Sequence, residues 1–249
     1  MSLVRAELRK LLSLRTAWVG LVLGLLAAPA LVVINAPATR RAIADGIVGD
    51  VSDIGFQNLG IGVLGAMILG VVTVSSEYTA TGEDTPGARQ LIATLTAAPR
   101  RTRLIAAKAA ALSLVVALQG ALTAVATLAL TQQMHGTAVP APEPVRVLAA
   151  VFYWTLIALL AYAITLIARN GIITLTLLIV NSAVVSFSYL LTKVTPLAAY
   201  LPDIVGAHMF LRSIDVPVRI TPVTAALVMT AWVAGLLAIA GYLFQRRDA

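Results

Sequence analysis

Side chains able to carry out catalysis are few in this sequence, and they stand apart from one another. There is no cysteine, which excludes thiolate nucleophiles, thiolate zinc sites, iron–sulfur clusters and disulfides. The two histidines, His135 and His208, both fall in segments that read as loops. The bland expectation for His208 is a surface side chain. There is no His-Glu-x-x-His helix, no Gly-x-Ser-x-Gly elbow and no pair of aspartates inside an apolar run. None of Lys10, Lys108 and Lys193 follows a glycine-rich loop, so a Walker A phosphate cradle is missing. The expectation is a protein that is not an enzyme and holds no cofactor of its own. Any ATP and Mg would be handled by another chain.

Two sets of residues remain for function. The first comprises polar side chains inside apolar runs: Gln57, Asn58, Gln119, Asn181, Ser182, Ser186 and Ser188. They suit hydrogen bonding between packed helices or the lining of a pathway. The second is the polar segment from Glu77 to Arg103. Its middle carries Leu91, Ile92 and Leu95 at helical spacing, so a short helix there can present one apolar face. Pro99 ends that helix, and Arg100, Arg101 and Arg103 follow. A segment this long with its own helix is more than a connector.

The elements that must position these residues are membrane spans. The 249 residues are 59% apolar and only 12% charged, with a mean hydropathy of +0.93. Soluble domains carry about 25% charged residues. About 20 apolar residues cross the roughly 30 Å of hydrocarbon. Six such runs are legible: Thr16–Asn35, Ile54–Ser76, Leu104–Thr131, Val147–Ala168, Gly171–Leu191 and Pro222–Phe244. The runs are continuous rather than alternating, so helices are expected and not a barrel. Arg169-Asn170-Gly171 reads as a tight turn between the fourth and fifth, since one long helix would bury Arg169. The first run exceeds the 7–15 residues of a secretory signal core, and further runs follow it.

Basic residues are unequally shared between the two sides. With the termini together, one side has Arg5, Arg9, Lys10, Arg15, Arg89, Arg100, Arg101, Arg103, Lys108, Arg169, Arg246 and Arg247. The other has Arg40, Arg41, Arg146, Lys193, Arg212 and Arg219, balanced by acidic residues. The positive-inside rule therefore predicts cytoplasmic termini. The net charge of +7 is thereby assigned to the membrane's inner face and not to nucleic acid.

Outside the spans, residues 1–15 read as an amphipathic helix able to lie among lipid headgroups, with Glu7 breaking the pattern. The stretch Ala36–Asp53 reads as a solvated loop with scattered aspartates, and Gln132–Arg146 as a stiff, proline-rich connector. Residues 192–221 contain several prolines yet stay rich in Leu, Ile, Val and Phe210. That suggests short helices re-entering the outer leaflet, where protein covers them. Gly20 and Gly24, and the glycines from Gly55 to Gly70, permit close helix approach. No Asp, Glu, Lys or Arg falls at the centre of a run, which argues against an ion-coupled transporter.

Along its whole length the chain resembles the six-span membrane subunits of type-2 ABC transporters, in particular those of high-GC actinobacteria. The likeness is carried by Val4-Arg5-Ala6-Glu7-Leu8-Arg9-Lys10-Leu11, by Ser76-Glu77-Tyr78, and by Thr94–Arg101 leading into Ala106-Ala107-Lys108. The large segment before the last span and the ending Gln245-Arg246-Arg247-Asp248 fit as well. The stretch Thr79–Gly87 is an insertion relative to many members. The resemblance implies an all-α permease in the bacterial inner membrane, working as a homodimer or with a related subunit. It implies a coupling helix docking on a cytoplasmic ABC ATPase, with Glu77, Tyr78, Arg89, Gln90, Leu91, Leu95, Pro99, Arg100 and Arg101 near the contact. The uncharged spans suggest an amphipathic or lipid-like cargo. A second expectation is an anchor or assembly factor that recruits a cytoplasmic partner and moves nothing.

Overall fold

The computed structural model describes residues 3–76, 101–181 and 187–246, with the backbone alone at 101. The described residues form helices and the connections between them, without a strand. In chain order the helices are α1 (Leu3–Ser13), α2 (Arg15–Ala44), α3 (Ile54–Ser75), α4 (Arg101–His135) and α5 (Pro144–Ala168). They continue with α6 (Gly171–Ile179), α7 (Phe187–Thr192), α8 (Pro202–Ala207) and α9 (Pro222–Arg246). Five of them, α2, α3, α4, α5 and α9, are long and apolar enough to cross a membrane. The protein is an all-α polytopic membrane protein in this coarse sense.

Helix α3 is the hub. It packs on α2, α4, α5 and α6, and its apolar window is 67% buried, against 22% for α9 at the periphery. Lipid is as apolar as leucine, so helices associate through close packing and hydrogen bonds rather than through water exclusion. The sequence provides for this with small residues. A Cβ on Gly65 would collide with the Gly20 carbonyl and the Gly24 backbone, so only glycine lets α2 and α3 cross here. Gly62 seats the Trp154 indole, and Gly70 lies on the Ala158 carbonyl of α5. Trp154, Tyr162 and Phe56 are the largest fully buried side chains among the described residues.

Three element boundaries differ from the sequence reading. Helix α2 continues through Pro37 to Ala44, so the following loop starts after it rather than at Ala36. The polar extension is held against α4, where Arg40 Nε and Nη2 donate to the Met134 carbonyl at 3.1 and 2.8 Å. Helix α4 begins at Arg101, which takes the end of the 77–103 segment into the span. The run Gly171–Leu191 is not one helix among the described residues. Helix α6 stops at Ile179 and passes into a π turn at 180–181, and α7 starts at Phe187.

The turn at Arg169 is as expected. Arg169 takes the left-handed conformation (φ 53°) that closes α5, and Asn170 caps α6 by accepting from the amides of Ile172 and Ile173.

Candidate functional site

At one end of the bundle α1 meets the roots of the long polar segment. Its only acidic residue, Glu7, faces inward, and it is 7% exposed. Lys108, on the second turn of α4, donates to Glu7 Oε2 at 2.8 Å and is itself 3% exposed. A small cavity beside the pair is lined by Lys10, Leu11, Leu14, Thr73, Ser76 and Ala111. Helix α1 and the first turns of α4 are thus pinned together, and the last turn of α3 borders the cavity beside the pair. Leu11 and Leu104 are buried nearby, and Trp18 Nε1 donates to the Leu12 carbonyl at 3.0 Å, fixing the bend between α1 and α2. Glu7, which spoiled the amphipathic pattern, is explained: it faces a lysine, not water.

The segment rooted here carries most of the residues expected at a partner contact. Glu77, Tyr78, Arg89, Gln90, Leu91, Leu95, Pro99 and Arg100 lie outside the described residues, as does the Arg101 side chain.

Of the polar residues expected inside the bundle, Asn181 and Ser188 meet, whereas Gln57, Asn58 and Gln119 lie apart from them and from one another among the described residues. Gln119 is buried and its Nε2 donates to the carbonyls of Gly20 and Leu21 at 3.0 and 3.1 Å. Thr123, one turn on, donates to the Gly24 carbonyl at 3.0 Å. Both therefore fasten α4 to α2 where the glycines expose backbone. Gln57 is exposed and Asn58 half-buried, and neither side chain has a hydrogen bond among the described residues. Asn181 has a different environment. Its Nδ2 donates to Asp203 Oδ2 at 2.9 Å, and Ser188 Oγ donates to its Oδ1 at 3.4 Å.

The opposite end of the bundle carries a network that the sequence did not reveal. Asp53 reads as part of a solvated loop, yet its exposure is 0%. It pairs with Arg146 and accepts from the amides of Arg212 and Ser213 and from Ser213 Oγ. Arg146 also donates to the Phe210 carbonyl at 2.9 Å and to Ser52, and its guanidinium lies 4.2 Å from the Phe56 ring centre. Arg212 pairs with Glu143. The starts of α3 and α5 and the chain after α8 are thereby locked together. A buried carboxylate needs such donors, because isolated burial is costly.

His208 is corrected by the same docking. It is 8% exposed, and its Nδ1 lies 3.0 Å from the Ile204 carbonyl. Gly206 packs against the Tyr153 ring, so α8 seats closely on α5 and carries His208 inward. It is a structural histidine rather than a surface one. No group of three or more His, Cys, Asp or Glu that could hold a metal occurs among the described residues.

Compared with family models, curated proteins and solved structures, the chain finds no match.

Proposed function

We propose that this chain is the membrane-spanning subunit of a type-2 ABC exporter, driven by separate cytoplasmic ATPase chains and paired with a second copy or a related subunit. The observation that carries the reading is the buried Glu7–Lys108 pair at the base of the 77–100 segment. In this reading a load applied to that segment reaches α1 together with α4, because the pair fastens α1 to the helix that the segment runs into, with the end of α3 bordering the same cavity. Such a joint suits transmission from a nucleotide-driven partner, where closure shifts the preferred packing of the membrane helices. The absence of a phosphate-binding loop in the sequence fits a subunit that borrows its energy.

In this reading the membrane is the bacterial inner membrane, both termini are cytoplasmic, and α6 with α7 completes a sixth crossing. The segment 192–221 is re-entrant. Asn181 lies about 15 Å of helical rise beyond Gly171, near half the hydrocarbon thickness, and it holds Asp203 at the same depth.

The test is co-purification with the ABC ATPase expressed alongside the chain. Glu77→Lys or Leu95→Asp abolishes association while the protein still inserts in the membrane. Unchanged association of both variants refutes the reading. ATPase stimulation in proteoliposomes without movement of any amphipathic solute would favour the anchor instead.

A further inference from the structure

Between α3, α5, α6, α7 and α8 lies an open cleft of about 730 Å³. Pockets of roughly 300–1,000 Å³ take drug-sized molecules. The walls are apolar, with Met67, Ile157, Leu160, Ile164, Ile173 and Leu177 among them. Apart from Thr176 on α6, the polar lining residues are Ser188, Asn181 and Asp203, which form a hydrogen-bonded row ending in the carboxylate. Asp203 also borders a second cavity of about 280 Å³ beside Tyr153 and Tyr189, so it stands in the wall between the two spaces.

The charge at that end is uncompensated. Glu7, Asp53, Glu143 and Asp215 each have a basic side chain within ion-pair distance. Asp203 has none among the described residues, although it is half-buried and looks onto apolar walls. A carboxylate removed from water without a cation is costly, and in a low-dielectric setting it strongly favours a cationic neighbour. The amide oxygen of Asn181 accepts from Ser188 while its nitrogen donates to Asp203 Oδ2, so the row fixes the carboxylate in the cleft wall. On the α6 side the cleft is open, with Ile173 and Leu177 61% and 60% exposed, so an apolar body has access from the membrane.

We infer that this cleft binds an amphipathic organic cation, its positive head against Asp203 and its apolar body along α5 and α6. The inference goes beyond the exporter reading, because binding needs no ATPase. The same chemistry would accept either a free lipophilic cation or a lipid with an amine headgroup.

The experiment measures tetraphenylphosphonium binding to the purified chain in phosphatidylglycerol nanodiscs, with empty discs subtracted and tetraphenylborate as the anion of equal shape. Wild type binds the cation at least tenfold more tightly than the borate. Asp203→Asn loses at least tenfold for the cation and not for the borate. Leu177→Trp keeps the carboxylate, adds bulk to the cleft wall, and also weakens cation binding at least tenfold, which serves if Asp203→Asn folds poorly. Weaker apparent binding in discs that contain phosphatidylethanolamine identifies an amine-headed lipid as a natural occupant. Unchanged binding there points to a free cation. Equal cation binding by wild type and both variants, or equal binding of cation and borate, overturns the inference.

Discussion

Breaking the Glu7–Lys108 pair has a calculable consequence. The charged atoms are 2.8 Å apart, with side chains 8% and 4% exposed. At an effective dielectric of about 20, two unit charges at this distance attract by roughly 6 kcal/mol, most of it offset by desolvation. Removing one member leaves the other buried without its counter-charge, at a cost of about 3–5 kcal/mol. Replacing both with leucine removes the desolvation as well and is expected to be neutral or stabilising. For a chain of this size 1 kcal/mol moves the melting point by about 2–4 °C. Glu7→Gln and Lys108→Met are therefore each expected to melt roughly 6–20 °C below wild type in detergent. The Glu7→Leu/Lys108→Leu double variant returns to within a few degrees. Arg9→Gln, at an exposed position of the same helix, is the control and stays unchanged. Single variants that melt with the control, or a double variant as low as the worse single, would refute the argument.

Three further outcomes follow from other parts of the bundle. Asp53→Ala strands Arg146 and the amides of Arg212 and Ser213, and should cost about 3–5 kcal/mol, whereas exposed Asp45→Ala costs nothing measurable in the same melting assay. Gly65→Leu must drive α2 from α3 and should cost about 3 kcal/mol or more, while Gly235→Ala, with open space around it, is neutral or slightly stabilising by the same readout. The surface cluster of Tyr189, Asp215 and Lys193 gives a pH window: the Tyr189 hydrogen bond, with Lys193 beside it, holds the Asp215 carboxyl below its ordinary value. The Tyr189 hydrogen bond and the Asp215 charge push Lys193 up. The Asp215 contribution is present above the ordinary carboxyl range and lost as pH falls through the lowered value; that of Lys193 is present below its ordinary range and lost as pH rises through the raised one. Labelling of a Val216→Cys variant, taken at each pH relative to an exposed Ile47→Cys control so that the thiolate fraction cancels, should therefore be slowest between about pH 5 and 9 and accelerate on both sides, and a flat ratio would contradict this.

Much of the architecture was written in residue types. Continuous apolar runs gave the five long helices, and Arg169-Asn170-Gly171 gave the turn, because a left-handed residue and an asparagine cap are local devices. Gly20 and Gly24 announced a close crossing, since only the absence of a side chain lets carbonyls meet a neighbouring backbone. What stayed hidden depended on distant partners. Asp53 looks like any loop aspartate until Arg146 and the amides after Phe210 arrive from elsewhere in the chain. Glu7 looks like an error in an amphipathic pattern until Lys108 faces it. The extension of α2 past Pro37 was masked because polarity marks where hydrocarbon ends, not where a helix ends. Of the candidate site residues, Gln119 and Asn181 found partners through packing, one on exposed glycine backbone and one on a carboxylate. Gln57 and Asn58 carried the same residue chemistry without hydrogen-bond partners among the described residues, so polarity within an apolar run does not by itself identify a site.

The proposed coupling requires residues 77–100 to lie on the cytoplasmic side of the membrane. The chain has no cysteine, so single introduced cysteines report without background. Ala88→Cys and Ile47→Cys, the latter on an exposed residue at the Asp53 end, are treated with an impermeant maleimide in right-side-out and inverted vesicles. The account predicts that Ala88→Cys reacts only in inverted vesicles and Ile47→Cys only in right-side-out ones. Reaction of Ala88→Cys from the outer face would contradict it.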